Sequence, residues 1–345
     1  MTKKTKRIIA LGVAALTIMA VLVTGCGNSN PTPTTSGTAT SAPSIVLKFG
    51  EINPETHPMV QGMKEFARIV KEKTNGRIQV QIFAGGQLGD EKTEMQSLQM
   101  GALDMFRANS MTLADFGADK MMVFSLPYIF TSSDQMWKVL DGPIGQQMLQ
   151  SVQDKKIKMV ALGYFEDGSR NFFGKKPINS IADVKGLKIR VPQDQIMMEM
   201  VKAFGASPTP TAYNELYSAM QTGVVDAAEN TIAGYTSMSF FEVGKYLTLD
   251  AHSDSPGVIT MSQQTWDKLS DADKKIVKDA VLEASQFERK VTQKGATDSI
   301  AQLKAKGVTI IDVPDKTAWQ NAVAPVYAKY ASKYQDIIDS IKATK

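Results

Sequence analysis

The chain has 345 residues, 43% apolar and 21% charged, with 39 basic and 35 acidic side chains. Lys3, Lys4, Lys6 and Arg7 lie in a stretch of 25 residues without an acid, and removing those four leaves 35 basic against 35 acidic. A neutral body has no electrostatic footprint for nucleic acid, and a chain this long outgrows one hydrophobic core, which predicts two lobes.

The first element is a targeting segment. Four cations precede the apolar run Ile8–Val23, the order of a secretory signal peptide. At 16 residues the run is shorter than the ~20 needed to cross a bilayer as a helix. It ends in Val23-Thr24-Gly25-Cys26, small residues before the only cysteine, which resembles the lipobox of bacterial lipoproteins. The expectation is a lipoprotein signal peptide over residues 1–25, a lipidated Cys26, and a flexible Ser/Thr/Pro/Gly-rich tether over 26–43. A plain signal peptide with a stray cysteine is the alternative.

The folded body, 44–345, opens with Ile45–Gly50 as a strand. Met59, Met63, Phe66, Ile69 and Val70 then recur with helical period up to Asn75-Gly76. Residues 77–83 alternate as a strand, and Asp90 is placed to cap a helix reaching about Met100. Strand and helix keep alternating: strand 158–164, helix 194–204, strand 207–209, helix 213–222, strand 224–228. This pattern predicts an α/β fold with largely parallel sheets. A helical pattern from Ser270 to Lys304 is long enough to cross more than one lobe, and a strand (308–313) and a helix (315–341) close the chain.

Signatures of catalysis are missing. His57 and His252 are the only histidines, so no zinc set can be assembled, and there is no nucleophile elbow, Walker loop or dinucleotide fingerprint. No cofactor or metal is expected. Polar residues at strand ends are more informative. In Gly186-Leu187-Lys188-Ile189-Arg190-Val191-Pro192, alternation puts Ile189 and Val191 on one face and Arg190 on the other, at the carboxyl end where open α/β sheets bind ligands. An arginine there is either a bidentate carboxylate clamp or half of a structural ion pair. Glu229 and Asn230 emerge similarly after the 224–228 strand, where Asn230 could instead cap a helix starting at Thr231.

These stretches, with Gly205-Ala206-Ser207-Pro208-Thr209-Pro210 and Gln221–Asn230, resemble the extracytoplasmic solute receptors of TRAP (tripartite ATP-independent periplasmic) transporters. Gln87-Leu88-Gly89-Asp90, Gly101–Asp104 and Leu126–Phe130 carry the same resemblance, which spans about residues 45–340. It implies a two-lobed, periplasmic-binding-protein-like α/β fold with crossing strands, a long lobe-spanning helix and a ligand cleft. The lobes are expected at roughly 44–165 and 166–260, with the C-terminal segment packing across both.

The resemblance also implies roles. Arg190 corresponds to the main carboxylate-clamping arginine and Arg170 to a second arginine near the ligand. Tyr213 takes the place of an aromatic that packs on the ligand, although with Leu216, Tyr217 and Met220 it could be only a core stripe. Asn230 matches a polar contact, with Glu229 beside it. Asn109 stands where some members carry glutamate. His57, either in the cleft or capping a helix, and Glu51 and Asp90 are further candidates. Tyr235 and His252 resemble positions in the uronate-binding branch, but Ala233 and Gly234 depart from the bulkier residues usual there. The implied function is capture of a small organic acid, a sugar acid such as glucuronate or galacturonate, outside the cytoplasm by a lipid-anchored receptor that delivers it to a membrane permease. A C4-dicarboxylate is the alternative ligand, and a surface lipoprotein enzyme or a sensory ligand-binding partner is a reading from another class.

Overall fold

The computed structural model describes residues 45–153, 156–254 and 256–345. The signal peptide, Cys26 and the tether lie outside the described residues. Among the described residues eleven strands follow in chain order: β1 Ile45–Gly50, β2 Ile78–Phe83, β3 Met105–Asn109, β4 Met159–Phe165, β5 Arg170–Gly174, β6 Lys188–Val191, β7 Ser207–Pro210, β8 Ala227–Thr231, β9 Tyr246–Ser253, β10 Gly257–Ser262 and β11 Thr309–Asp312. They form two sheets, a five-stranded one ordered β2-β1-β3-β10-β4 and a six-stranded one ordered β11-β9-β5-β8-β6-β7.

The sheets are mixed rather than largely parallel. β1 pairs in parallel with β2 and β3, and β6 with β7 and β8, as strand–helix alternation dictates. However, β10 runs antiparallel between β3 and β4, and β5 antiparallel between β8 and β9. These two strands enter their sheets directly from the other sheet, β5 after β4 and β10 after β9. Without a crossover helix to bring the chain back to the same end, they insert in the opposite direction.

The long helix is present as Asp271–Ala305, capped by Ser270, whose side chain accepts from Asp273 N. Its 35 residues extend for about 50 Å. Val277, Ala280, Val281 and Ala284 share a core with the Pro58–Lys73 helix and the first sheet, while Leu303 belongs to the core of the second. Gly62 lets the two helices approach: a Cβ there would meet Glu288 Cβ at 2.7 Å.

Two local expectations are corrected. The helix expected over 315–341 is three, Thr317–Ala322, Ala324–Tyr330 and Gln335–Ala343. Pro325, in the first turn of the second, has no N–H and its ring blocks continuation from the first. The strand expected at 224–228 is β8, shifted to Ala227–Thr231, so that Glu229 and Asn230 lie buried within it. Thr231, not Asn230, caps the following helix, its side chain accepting from Gly234 N. Similarly, 213–222 begins as a single 3-10 turn, Tyr213–Glu215, before the helix Leu216–Thr222.

Candidate functional site

The segments that follow β1, β2 and β3 in one sheet and β6 and β7 in the other, with Asn230 near the end of β8, line a common cavity of about 360 Å³. This is the carboxyl-end position at which open α/β sheets bind ligands.

Arg190 is the central cation. Ile189 and Val191 bury their side chains in the core and turn the arginine between them toward the cavity, where it is only 2% exposed. Its Nε and Nη2 both donate to the Thr211 carbonyl, at 3.0 and 2.5 Å, and its guanidinium lies 6.0 Å from the Tyr213 ring centroid. Among the described residues no carboxylate forms an ion pair with it. Burial therefore drives its pKa down to about 10, with Glu229 pulling the other way.

Arg170, at the start of β5, also lines the cavity but is already paired. Its Nε and Nη2 donate to the two carboxylate oxygens of Glu229, at 2.5 and 2.9 Å, and Asp167 stands 3.9 Å away. Antiparallel pairing places Phe172 opposite Glu229, which brings the two charges together across adjacent strands. His252 Nε2 lies 3.3 Å from Glu229, and its Nδ1 lies 2.8 Å from Asp250. Burial alone would raise the Glu229 carboxyl, but Arg170 and His252 hold it at about 2. Burial likewise opposes the His252 charge, yet Asp250 and Glu229 lift its pKa to about 9.

Tyr213 and Asn230 line the cavity with polar atoms that lack a well-formed partner among the described residues. Tyr213 Oη and Asn230 Nδ2 are buried without a hydrogen bond of ordinary geometry, although they lie close enough for Asn230 to offset part of the rise that burial imposes on the Tyr213 hydroxyl. Asn230 Oδ1 accepts from Thr231 N at 2.7 Å. Its side chain lies against Gly234, where a Cβ would meet Oδ1 at 2.7 Å. The departure at Gly234 is thus the space that Asn230 occupies.

The first sheet contributes Asn109 and Asp90. Asp90 caps the Glu91–Met100 helix by accepting from Thr93 N. The other candidates lie behind the cavity wall. Glu51 is fully buried and receives Nε and Nη2 of Arg107 at 2.8 and 2.6 Å, together with Asn53 N and Nδ2. His57 caps the Pro58–Lys73 helix, its Nδ1 accepting from Met59 N. Tyr235 packs on Phe173 in the second core and donates its hydroxyl to the Gly244 carbonyl at 2.7 Å. Glu229 and His252 act through Arg170.

Arg107, Glu91, Asp167 and Ser253 also line the cavity and were missed in the sequence. Arg107 left a signal, a lone charge in the apolar run Met105-Phe106-Arg107-Ala108. Among the described residues, no group of three or more His, Cys, Asp or Glu is placed to hold a metal ion.

Two sheets enclosing a cavity at their strand ends, with a buried arginine in its wall, are the architecture of a ligand-trapping binding protein. The chain belongs to the bacterial extracellular solute-binding proteins of family 7, whose model matches residues 49–333. It is a TRAP extracytoplasmic solute receptor, a transport component and not an enzyme. Among similar solved structures is a TRAP periplasmic solute-binding protein of Pseudomonas putida F1 with bound D-glucuronate, 35% identical, TM-score 0.85, covering 87% of this chain and 97% of that one. Another, from Xanthobacter autotrophicus Py2 with bound β-D-galacturonate, is 31% identical, TM-score 0.83, covering 87% and 100%. A third, from Sulfurospirillum deleyianum with bound succinate, is 32% identical, TM-score 0.81, covering 88% and 100%.

Proposed function

We propose that the cleft binds a sugar acid, a hexuronate such as D-glucuronate or D-galacturonate, with its carboxylate on Arg190. The observation that carries this is a buried guanidinium in the cavity wall whose bonds go to a neutral carbonyl and whose charge has no carboxylate partner. A ligand carboxylate supplies the missing charge, and Tyr213 Oη and Asn230 Nδ2 supply polar partners beside it. Arg170, held and neutralised by Glu229, lines the cavity without being free to clamp. The uronates bound by two of the similar structures support the same class. Closure of lobes at roughly 44–165 and 166–260 would bring both walls onto the ligand, and the closed form is the one a permease would recognise.

The succinate-bound relative favours a second reading, a C4-dicarboxylate. A thermal-shift screen of organic acids separates them, since a ligand at 100 times its dissociation constant adds about 2.7 kcal/mol. D-Glucuronate and D-galacturonate are expected to lead the screen, and their methyl esters to lose most of the shift. A neutral sugar or an amine that stabilises as well as the acids overturns the assignment, and succinate leading the screen moves it to the second reading.

Lipid anchoring at Cys26 belongs to the same proposal, supported by the Val23-Thr24-Gly25-Cys26 run after a short apolar segment. Mass spectrometry of protein purified from its native membrane is expected to find a diacylglyceryl group on Cys26. A mature N-terminus at any other residue would sink it.

A further inference from the structure

Asn109 lines the cavity, yet its side chain is already committed. Its backbone N–H and Nδ2 donate to the two carboxylate oxygens of Glu91, both at 2.8 Å, and its Oδ1 accepts from Arg107 Nη1 at 2.8 Å. Arg107 in turn holds the buried Glu51 with two parallel bonds. The result is a continuous relay, Glu51 to Arg107 to Asn109 to Glu91, running from the interior to the cavity surface.

Glu91 is the end of that relay, half-buried at the first position of its helix and lining the cavity. A carboxylate offers about four lone-pair sites, and Asn109 uses one on each oxygen. Both oxygens therefore keep acceptor capacity side by side, a spacing that suits two adjacent hydroxyls. The charges have a clear sum as well. Glu51 and Arg107 cancel and Asn109 is neutral, so the relay presents one uncompensated negative charge, on Glu91. Lys92, the next residue, also lines the cavity, but it is exposed and forms no ion pair with Glu91, so water screens its charge.

We propose that Glu91 is a specificity-determining residue of the cleft: it accepts from adjacent hydroxyls of the ligand and rejects a second carboxylate at that place. Asn109 and Arg107 are positioning residues that fix its carboxylate. The inference rests on the reading above, in which Arg190 takes the ligand's first carboxylate, and it selects polyhydroxy monocarboxylates over dicarboxylates.

Calorimetry on the full chain tests it with D-galacturonate and its dicarboxylate counterpart, galactarate, on wild type and Glu91→Gln. Ring and open-chain forms differ between these acids, so the readout is the change in their affinity ratio on substitution. Glu91→Gln is expected to weaken galacturonate, to strengthen galactarate, and to shrink the ratio about tenfold or more. A ratio that moves less than about threefold overturns the proposal. Asn109→Ala is expected to weaken galacturonate and to move the ratio in the direction Glu91→Gln does, and an unchanged ratio removes it as a positioning residue. If galacturonate binds and depends on Arg190 while the ratio stays put, the inference alone fails. If no sugar acid binds wild type, it fails together with the reading beneath it.

Discussion

Arg190→Ala raises the dissociation constant of the best sugar acid by ~30-fold to several-thousand-fold while the ligand-free protein keeps its fold. The guanidinium is 2% exposed, its charge is matched by no carboxylate, and burial has lowered its pKa to about 10 from 12.5. That shift corresponds to roughly 3 kcal/mol spent on keeping the charged form buried. The ligand-free protein bears this cost and a bound carboxylate relieves it. Truncation removes the cost along with the clamp, so the ligand-free melting temperature should hold or rise, because only two bonds to the Thr211 carbonyl are lost. Arg190→Lys should recover part of the affinity, since an ammonium cannot reproduce the planar two-donor fork. Calorimetry beside melting curves decides the matter. Binding within threefold of wild type would place the clamp elsewhere, and a large drop in ligand-free melting would make Arg190 a structural residue.

Glu229→Gln should act in the opposite way, on the fold before the ligand. Its carboxylate is fully buried and serves Arg170 and His252 together. The amide leaves the buried Arg170 guanidinium with only the more distant Asp167, at 3.9 Å, and breaking a buried pair of this kind typically costs 3–5 kcal/mol. The pH dependence has a defined sign. The Glu229 carboxyl is held at about 2 against an ordinary 4.5, so its contribution is complete above about 4.5 and is lost as pH falls toward 2. His252 is lifted to about 9 from 6.5, so its contribution is complete below about 6.5 and is lost as pH rises through 9. Wild-type stability should therefore fall on both sides of this window, and Glu229→Gln should be less stable within it, with a shallower acid limb. Denaturant titrations from pH 3 to pH 10 measure both arms. Equal stability of the two proteins at pH 6 would mean that the ion pair is energetically idle.

Some parts of the site were legible because they are local. The apolar alternation Ile189–Val191 with Pro192 behind it required Arg190 to face away from the core at a strand end, and the structure shows that placement. The long helix was legible from its unbroken period and its Ser270 cap. Tyr235 was misleading for the same local reason, since a tyrosine beside motif residues looks available whereas it is sealed under Phe173. His57 left two readings open in the sequence, and the structure shows the helix cap. Glu229 shows what strand pairing adds, since its partner Arg170 is 59 positions away and only the β5–β8 register sets them side by side.

By itself the sequence determined the alternating α/β elements, the signal segment as an expectation, and the residues available for binding an acid, because period, caps and side-chain chemistry act over a few residues. The tertiary structure alone decided which charges cancel. Arg107 is neutralised by Glu51 and Arg170 by Glu229, while Arg190 stays unpaired and Glu91 is left facing the cavity. Coulomb energy depends on separation in space and on burial, and these groups meet only through the pairing of strands distant in sequence within each of the two sheets.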